Sequence, residues 1–228
     1  RKTNFILLPI RRTNELVCCA ATVYDFKIIN KIIKQIDGKI DYILIDGEQK
    51  LPNQRNFVAN IRKIVLKSKI LTFKGNDSTA DATDSLLDYM LSSSKKMKIA
   101  VIGAGNIGSK VALKLVERGN EVYVARSKLA NAKQIAKAIN YFKPKNCLSV
   151  AKAKKISEIA ENMDVLIGFS AGIPVISEKM ILQMNKNGLI LDGGLGTVDK
   201  SAIFVAQQKK IKIIRLDIRA GFAAATKL

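Results

Sequence analysis

Residues 98–127 read KIAVIGAGNIGSKVALKLVERGNEVYVARS, and no other stretch narrows the fold as much. A short apolar run, Ile99 to Ile102, breaks into Gly103-Ala104-Gly105-Asn106-Ile107-Gly108. Apolar residues then recur at helical spacing, at Ile107, Val111, Leu115 and Val116, and the pattern stops near Gly119. A second apolar run, Val122 to Ala125, follows. Strand, glycine turn, helix, strand is the context that a GxGxxG spacing needs before it signifies a dinucleotide site. Gly103 permits the tight turn, Gly105 leaves room for a pyrophosphate, and Gly108 lets the helix pack on the sheet. The N–H groups at the helix start, around Asn106 and Ile107, then face the phosphates with the positive end of the helix dipole behind them.

The end of the second strand carries the next constraint. A site that prefers NAD places Asp or Glu there to hold the ribose 2′-hydroxyl. Here the chain reads Ala125-Arg126-Ser127-Lys128, with no carboxylate. Arginine offers a planar, permanently charged fork suited to phosphate. The serine hydroxyl and the lysine add to it. NADP is therefore the expected cofactor, with NAD as the alternative.

Composition bounds the remainder. The 228 residues suffice for two small domains or one large one. No apolar run approaches a membrane span, and no signal-peptide pattern opens the chain. Three cysteines, two of them adjacent (Cys18 and Cys19), form neither a disulfide framework nor a metal motif, so no metal site is expected and a cytoplasmic setting fits best. Histidine is absent, which leaves Lys, Asp, Glu, Tyr or Cys for acid–base work. The net charge of +20 raises the question of nucleic acid. The lysines, however, are spread along the predicted helices, and no RNA-binding motif or basic–aromatic stretch appears. Attraction of an anionic cofactor and small substrate is a sufficient use for that field. No heptad or apolar patch specifies self-association, although a homo-oligomer paired through the first domain or the last strand stays open.

Taken in order, strands and helices alternate. Strands are expected at Asn4–Pro9, at Leu16–Val23 (buried, with Cys18 and Cys19 as packing residues), at Ile40–Ile45 and at Ile70–Phe73. Helices fall after Phe26, ending at Asp37-Gly38, and around Phe57–Val65. Ser78 or Thr79 is the expected cap of a helix running to about Leu91. Ser92 to Lys96 reads as a linker. The domains are thus 1–92, a small α/β unit with a bridging helix, and 93–228, a doubly wound parallel sheet of Rossmann type. In the second, a helix spans Leu129–Phe142, a strand Cys147–Val150 and a short helix Ile156–Met163. The strand Asp164–Phe169 ends in Ser170-Ala171-Gly172, and the strand Leu189–Leu191 in Asp192 and the glycines Gly193, Gly194 and Gly196. Doubly wound sheets bind ligands at such carboxyl ends, so Ser170, Ala171, Gly172 and Gly193 are expected to border the nicotinamide.

The glycine unit, DVLIGFSAGIPVI and GLILDGGLGTV together resemble the amino-acid-dehydrogenase-like superfamily, which includes shikimate dehydrogenase and methylenetetrahydrofolate dehydrogenase. That resemblance implies a small catalytic domain ahead of an NAD(P) Rossmann domain, with the active site in the cleft. Asn76-Asp77 looks like the Asn-Thr-Asp stretch of shikimate dehydrogenases, with the threonine missing. Lys50, in the loop after Asp46, stands where the family's catalytic lysine would. Hydride transfer needs a partner that moves a proton. A lysine tuned by a neighbouring carboxylate serves, so Lys50 with Asp77 or Asp46 is the candidate pair, and Tyr24 with Lys27 the second. The expected function is an NADP-dependent oxidoreductase acting on a small, anionic or amino-acid-like metabolite. The alternatives are a non-catalytic NAD(P)-binding sensor or subunit, and an NAD(P)-using enzyme without net redox turnover.

Overall fold

The computed structural model describes residues 5–48, 56–91, 96–170 and 172–218. The chain divides into two units, Arg1–Gly75 and Asn76–Leu228. The first unit begins with four short strands: β1 (Phe5–Leu7), β2 (Arg11–Arg12), β3 (Val17–Cys18) and β4 (Ala21–Val23). β1 pairs antiparallel with β4, and β2 with β3. The expected single buried strand over Leu16–Val23 is therefore two pieces of ribbon, and Cys18 and Cys19 are exposed rather than packed. An apolar run by itself does not tell a buried strand from an uncovered one.

Helix α1 (Phe26–Ile36) is capped by Asp25, whose carboxylate accepts the N–H of Lys27 at 2.8 Å. β5 (Tyr42–Asp46), α2 (Phe57–Arg62) and β6 (Lys69–Phe73) follow, with β5 and β6 parallel. Their core is Ile33, Ile43, Ile45, Ile61 and Val65. Asp37, just past α1, accepts the N–H groups of Leu66 (2.8 Å), Lys67 (3.0 Å) and Ser68 (2.8 Å). These bonds, that from Ser68 first, hold its carboxyl below the usual range.

In the second unit the order is α3 (Gly75–Met90), β7 (Lys98–Ile102), α4 (Asn106–Glu117), β8 (Glu121–Ala125), α5 (Leu129–Phe142), β9 (Ala151–Ala153) and β10 (Val165–Gly168). Then come α6 (Glu178–Gln183), β11 (Leu189–Asp192), α7 (Lys200–Gln208) and β12 (Lys212–Arg215). All six strands run parallel in the order β9-β8-β7-β10-β11-β12. The order reverses direction between β7 and β10, the switch point of a doubly wound sheet. Helices cover both faces. Ile99 and Val101 pack with Val111 and Leu115 of α4, while Ala100 and Ile102 pack with Ile181 of α6 and Ala202 of α7. A strand buried on both faces reads as an unbroken apolar run, as β7, β10 and β11 do.

Helix α3 belongs with this second unit, not with the first. Ala80 and Leu87 enter its core, and acids on α3 pair with bases on α4: Asp77 with Lys110, Asp81 with Lys114 (3.0 Å), and Asp84 and Asp88 with Arg118 (2.6 and 2.5 Å). Both helices run the same way, so spacings of three or four residues on each keep the rungs aligned. The helix starts at Gly75, which places Ser78 and Thr79 inside it instead of at its cap. Thr83 donates its hydroxyl to the Thr79 carbonyl at 2.8 Å, so the buried Thr83 hydroxyl is satisfied within the helix. Of the expected linker, residues 92–95 lie outside the described residues.

Two other local expectations give way. β9 forms at Ala151–Ala153, after the Cys147–Val150 stretch, because Asn140 of α5 brackets Ala151 through both its N–H and its carbonyl, at 2.8 Å each. Residues 156–163 form successive turns, with Glu158 bonded back to Lys155 and Met163 to Ala160, in place of a helix. Ile159, Ala160 and Met163 are buried all the same. Their spacing serves burial without requiring a helix.

Candidate functional site

The site is built where β7 ends. Gly103 has φ +89°, a left-handed conformation, and a Cβ there would collide with the Phe169 carbonyl. Its N–H and that of Ala104 both donate to the Ala125 carbonyl, at 3.0 and 3.2 Å, tying the glycine turn to the end of β8. A Cβ on Gly108 would lie 2.6 Å from the Gly103 carbonyl oxygen, so the turn and α4 pack as closely as backbones allow. Gly105 differs. A Cβ there would meet nothing nearer than 3.9 Å, so its outer side is open.

Gly105 is also the N-cap of α4, and no side chain caps that end. The first α-helical bond is from Ser109 to the Gly105 carbonyl, which leaves the N–H groups of Asn106, Ile107 and Gly108 without intrahelical acceptors. Asn106 is exposed, while Ile107 packs into the core below. An open backbone beside uncapped amides and the positive end of a helix is an anion cradle.

At the end of β8, Arg126 is half-buried and Ser127 and Lys128 are exposed. Among the described residues, none of these three side chains has a hydrogen bond or ion pair. The acid of this strand, Glu121, lies at its opposite end. There it accepts from Tyr123 Oη (2.6 Å) and Lys152 Nζ (2.7 Å), and those bonds, that from Lys152 first, draw its pKa down to about 2. No carboxylate on β8 thus competes for Arg126.

The ends of β10 and β11 are joined. Gly172 donates its N–H to the carbonyls of Ser170 (2.8 Å) and Gly194 (3.3 Å), and the Ser170 hydroxyl donates to the Ile173 carbonyl. Gly193 lies against the Phe169 ring so closely that a Cβ would collide with it. Ala171 and Lys50 lie outside the described residues. Asp77 is in the first turn of α3, paired with Lys110 as the first rung of the acid–base ladder. Asp46 accepts the N–H of Glu48 at 2.9 Å. Tyr24 and Lys27 are exposed, and α1 begins between them. The described residues contain no cluster of three metal-ligating side chains and no helix long and apolar enough to cross a membrane.

Sequence reasoning assigned no role to Asp192 or Thr197. Asp192, 4% exposed, accepts from the N–H of Gly196 (2.8 Å), the N–H and hydroxyl of Thr197 (3.1 and 2.8 Å) and Arg215 Nε (3.3 Å). Burial pushes its pKa up, but the bonds from Gly196, Thr197 and Arg215 outweigh it and leave the carboxyl below its ordinary value. The available signal was an acid directly after the apolar run Leu189–Leu191, with a threonine five residues on.

Sheet order, glycine turn and uncapped helix define a Rossmann-type fold. Residues 85–195, just under half of the chain, match the family model described as shikimate / quinate 5-dehydrogenase. Among solved structures, a shikimate dehydrogenase in complex with NADP+ superposes with a TM-score of 0.54 at 16% identity, over 70% of this chain and 57% of that one. L-tryptophan dehydrogenase from Nostoc punctiforme gives 0.53 at 15% identity, over 91% and 60%. A dipicolinate synthase from Bacillus halodurans gives 0.49 at 16%, over 84% and 79%. The chain therefore spans less than two thirds of each of the two dehydrogenases. No protein of curated function matches the sequence. The second unit thus has a Rossmann fold like that of these dehydrogenases, and residues 85–195 are similar to the shikimate / quinate 5-dehydrogenase family.

Proposed function

We propose that the chain is an NADP-dependent oxidoreductase that passes a hydride between the nicotinamide and a small anionic metabolite. The observation that carries this reading is the pairing of two anion-binding corners, the glycine turn and the end of β8, which are tied together by backbone hydrogen bonds. The uncapped start of α4 would hold the pyrophosphate, and Arg126, with Ser127 and Lys128, the 2′-phosphate. The nicotinamide half would then lie against the ends of β10 and β11, at Ser170, Ala171, Gly172 and Gly193. When bound, that ring supplies or accepts the hydride. Proton movement falls to this chain's lysines and carboxylates, with Lys50 and Asp77 named as candidates on the sequence alone. The net charge of +20 draws in an anionic substrate. Three free thiols, Cys18, Cys19 and Cys147, support a cytoplasmic setting.

One feature favours a second reading, a non-catalytic NADP-binding protein. Asp77 is already paired with Lys110 on a helix face where every rung is built alike. Titration with NADPH and NADH, read by nicotinamide fluorescence, tests the cofactor assignment. Arg126→Ala should weaken NADPH by about tenfold or more while leaving NADH unchanged, the size expected for a lost charge-assisted pair. Equal NADH and NADPH affinity in the unmodified protein would overturn the NADP assignment. Lys50→Ala then separates the two readings: turnover lost with affinity intact supports catalysis.

A further inference from the structure

A carboxylate excluded from water must be matched by donors, or it destabilises the fold that holds it. Asp192 is matched four times, and its partners are not confined to one strand. Thr197, wholly buried, passes the constraint on: its carbonyl accepts the N–H groups of Val175 (2.8 Å) and Ile176 (2.9 Å), beyond β10. Its hydroxyl lies so close to Gly168 that a Cβ there would collide with it, and a Cβ on Gly194 would collide with the Ser170 carbonyl. Between Asp192 and Thr197 the backbone makes two consecutive left-handed residues, Leu195 (φ 59°) and Gly196 (φ 95°). Leucine does not adopt that conformation unaided. The bonds from the Gly196 and Thr197 N–H groups to one buried carboxylate are what over-determine it.

We infer that Asp192 is a positioning residue: through Thr197 it fixes the segments that follow β10 and β11 as a single wall for the nicotinamide ring. The inference rests on the cofactor reading proposed above. Asp192 does not touch the cofactor; it sets where Gly172, Gly193 and Gly194 stand. Its loss falls first on the nicotinamide half, because the phosphate positions belong to a different turn that is tied to β8, although Gly103 of that turn also lies against the Phe169 carbonyl.

The test compares NADPH with 2′-phospho-ADP-ribose, which carries every phosphate but no nicotinamide. Asp192→Asn should weaken NADPH by about tenfold, the scale of a misplaced contact surface, and reduce the enhancement of its emission. Affinity for 2′-phospho-ADP-ribose should stay within about twofold. Thr197→Val should reproduce this split and Thr197→Ser, which keeps the hydroxyl, should restore wild-type binding. If Asp192→Asn does not fold, the threonine pair decides alone. Equal weakening of both ligands, or of neither, would overturn the positioning role. Wild-type protein that binds neither ligand would instead overturn the cofactor reading, and this inference with it.

Discussion

β5 and β10 look alike as sequence, YILID and VLIG, yet they live differently. Along β5 burial alternates: Ile43 and Ile45 are covered by helices, while Tyr42 and Leu44 are exposed at 45% and 60%. Along β10 every residue is buried. Among the described residues β5 has a single strand partner, whereas β10 lies between β7 and β11 with helices on both faces. Apolar letters specify that a strand will form; the number of layers around it decides which letters are buried. The proposed cofactor elements stand on the unit where both faces are filled, and a rigid scaffold is what positions a site.

The largest test of that contrast is truncation in each unit. Ile167→Ala should cost about 2–5 kcal/mol, because a fully buried side chain leaves a cavity that close packing cannot refill. Leu44→Ala should cost no more than about 0.5 kcal/mol, as for an exposed site. Denaturant melts of both variants check this. An equally large loss from Leu44→Ala would break the contrast, since it would mean that the open face of β5 is covered in solution.

A smaller effect sharpens the account of α3. Arg118→Ala removes the two-acid rung and should cost about 1 kcal/mol, less in high salt, because the pair is partly exposed. Hydrogen exchange along α3 should show that loss locally. If α3 protection were unchanged, packing of Ala80 and Leu87 alone would hold the helix to the second unit.

Smaller still is the response to acid, which has the same sign in both units. Asp37 and Glu121 have depressed folded pKa values, so their stabilisation is complete above the ordinary carboxyl range and is lost as pH falls through the folded values. For Glu121 the window runs from about 4.5 down to about 2. Glu121→Gln should cost a few tenths of a kcal/mol at neutral pH and flatten the second unit's response in that window. A wild-type melting profile that stays level from pH 5 to pH 2 would remove both carboxylates from the account.

Much of the second unit was legible before any coordinates. Leu129–Phe142 is a helix with the expected bounds, and the glycine turn sits between strand and helix as its spacing implied. Those features are local: periodicity, caps and turn residues set them. What escaped is set from a distance. Asp77 meets Lys110, 33 residues away, and no local rule selects that partner, although acids on α3 and bases on α4 at matching spacing hinted at the ladder. Residues 156–163 have a helical spacing but are held as turns, and Arg215 meets Asp192 only once β11 and β12 pair, whereas Thr197 reaches it through the loop five residues on. Leu16–Val23 failed for the opposite reason: among the described residues it is exposed or at most half-buried, and sequence does not report missing neighbours.

The two bonds from Gly103 and Ala104 to the Ala125 carbonyl carry a further consequence. In the proposed reading they make the start of α4 and the Arg126 corner parts of one receptor with a preset spacing. A dinucleotide that carries a 2′-phosphate as well as its pyrophosphate would meet two anchors already fixed to each other, so its second contact would form at a high effective concentration. A ligand with one phosphate forgoes that gain entirely. 2′-AMP and pyrophosphate added together should therefore bind far more weakly than NADPH, and loosening the Gly103–Ala125 tie should penalise the intact dinucleotide while sparing the fragments.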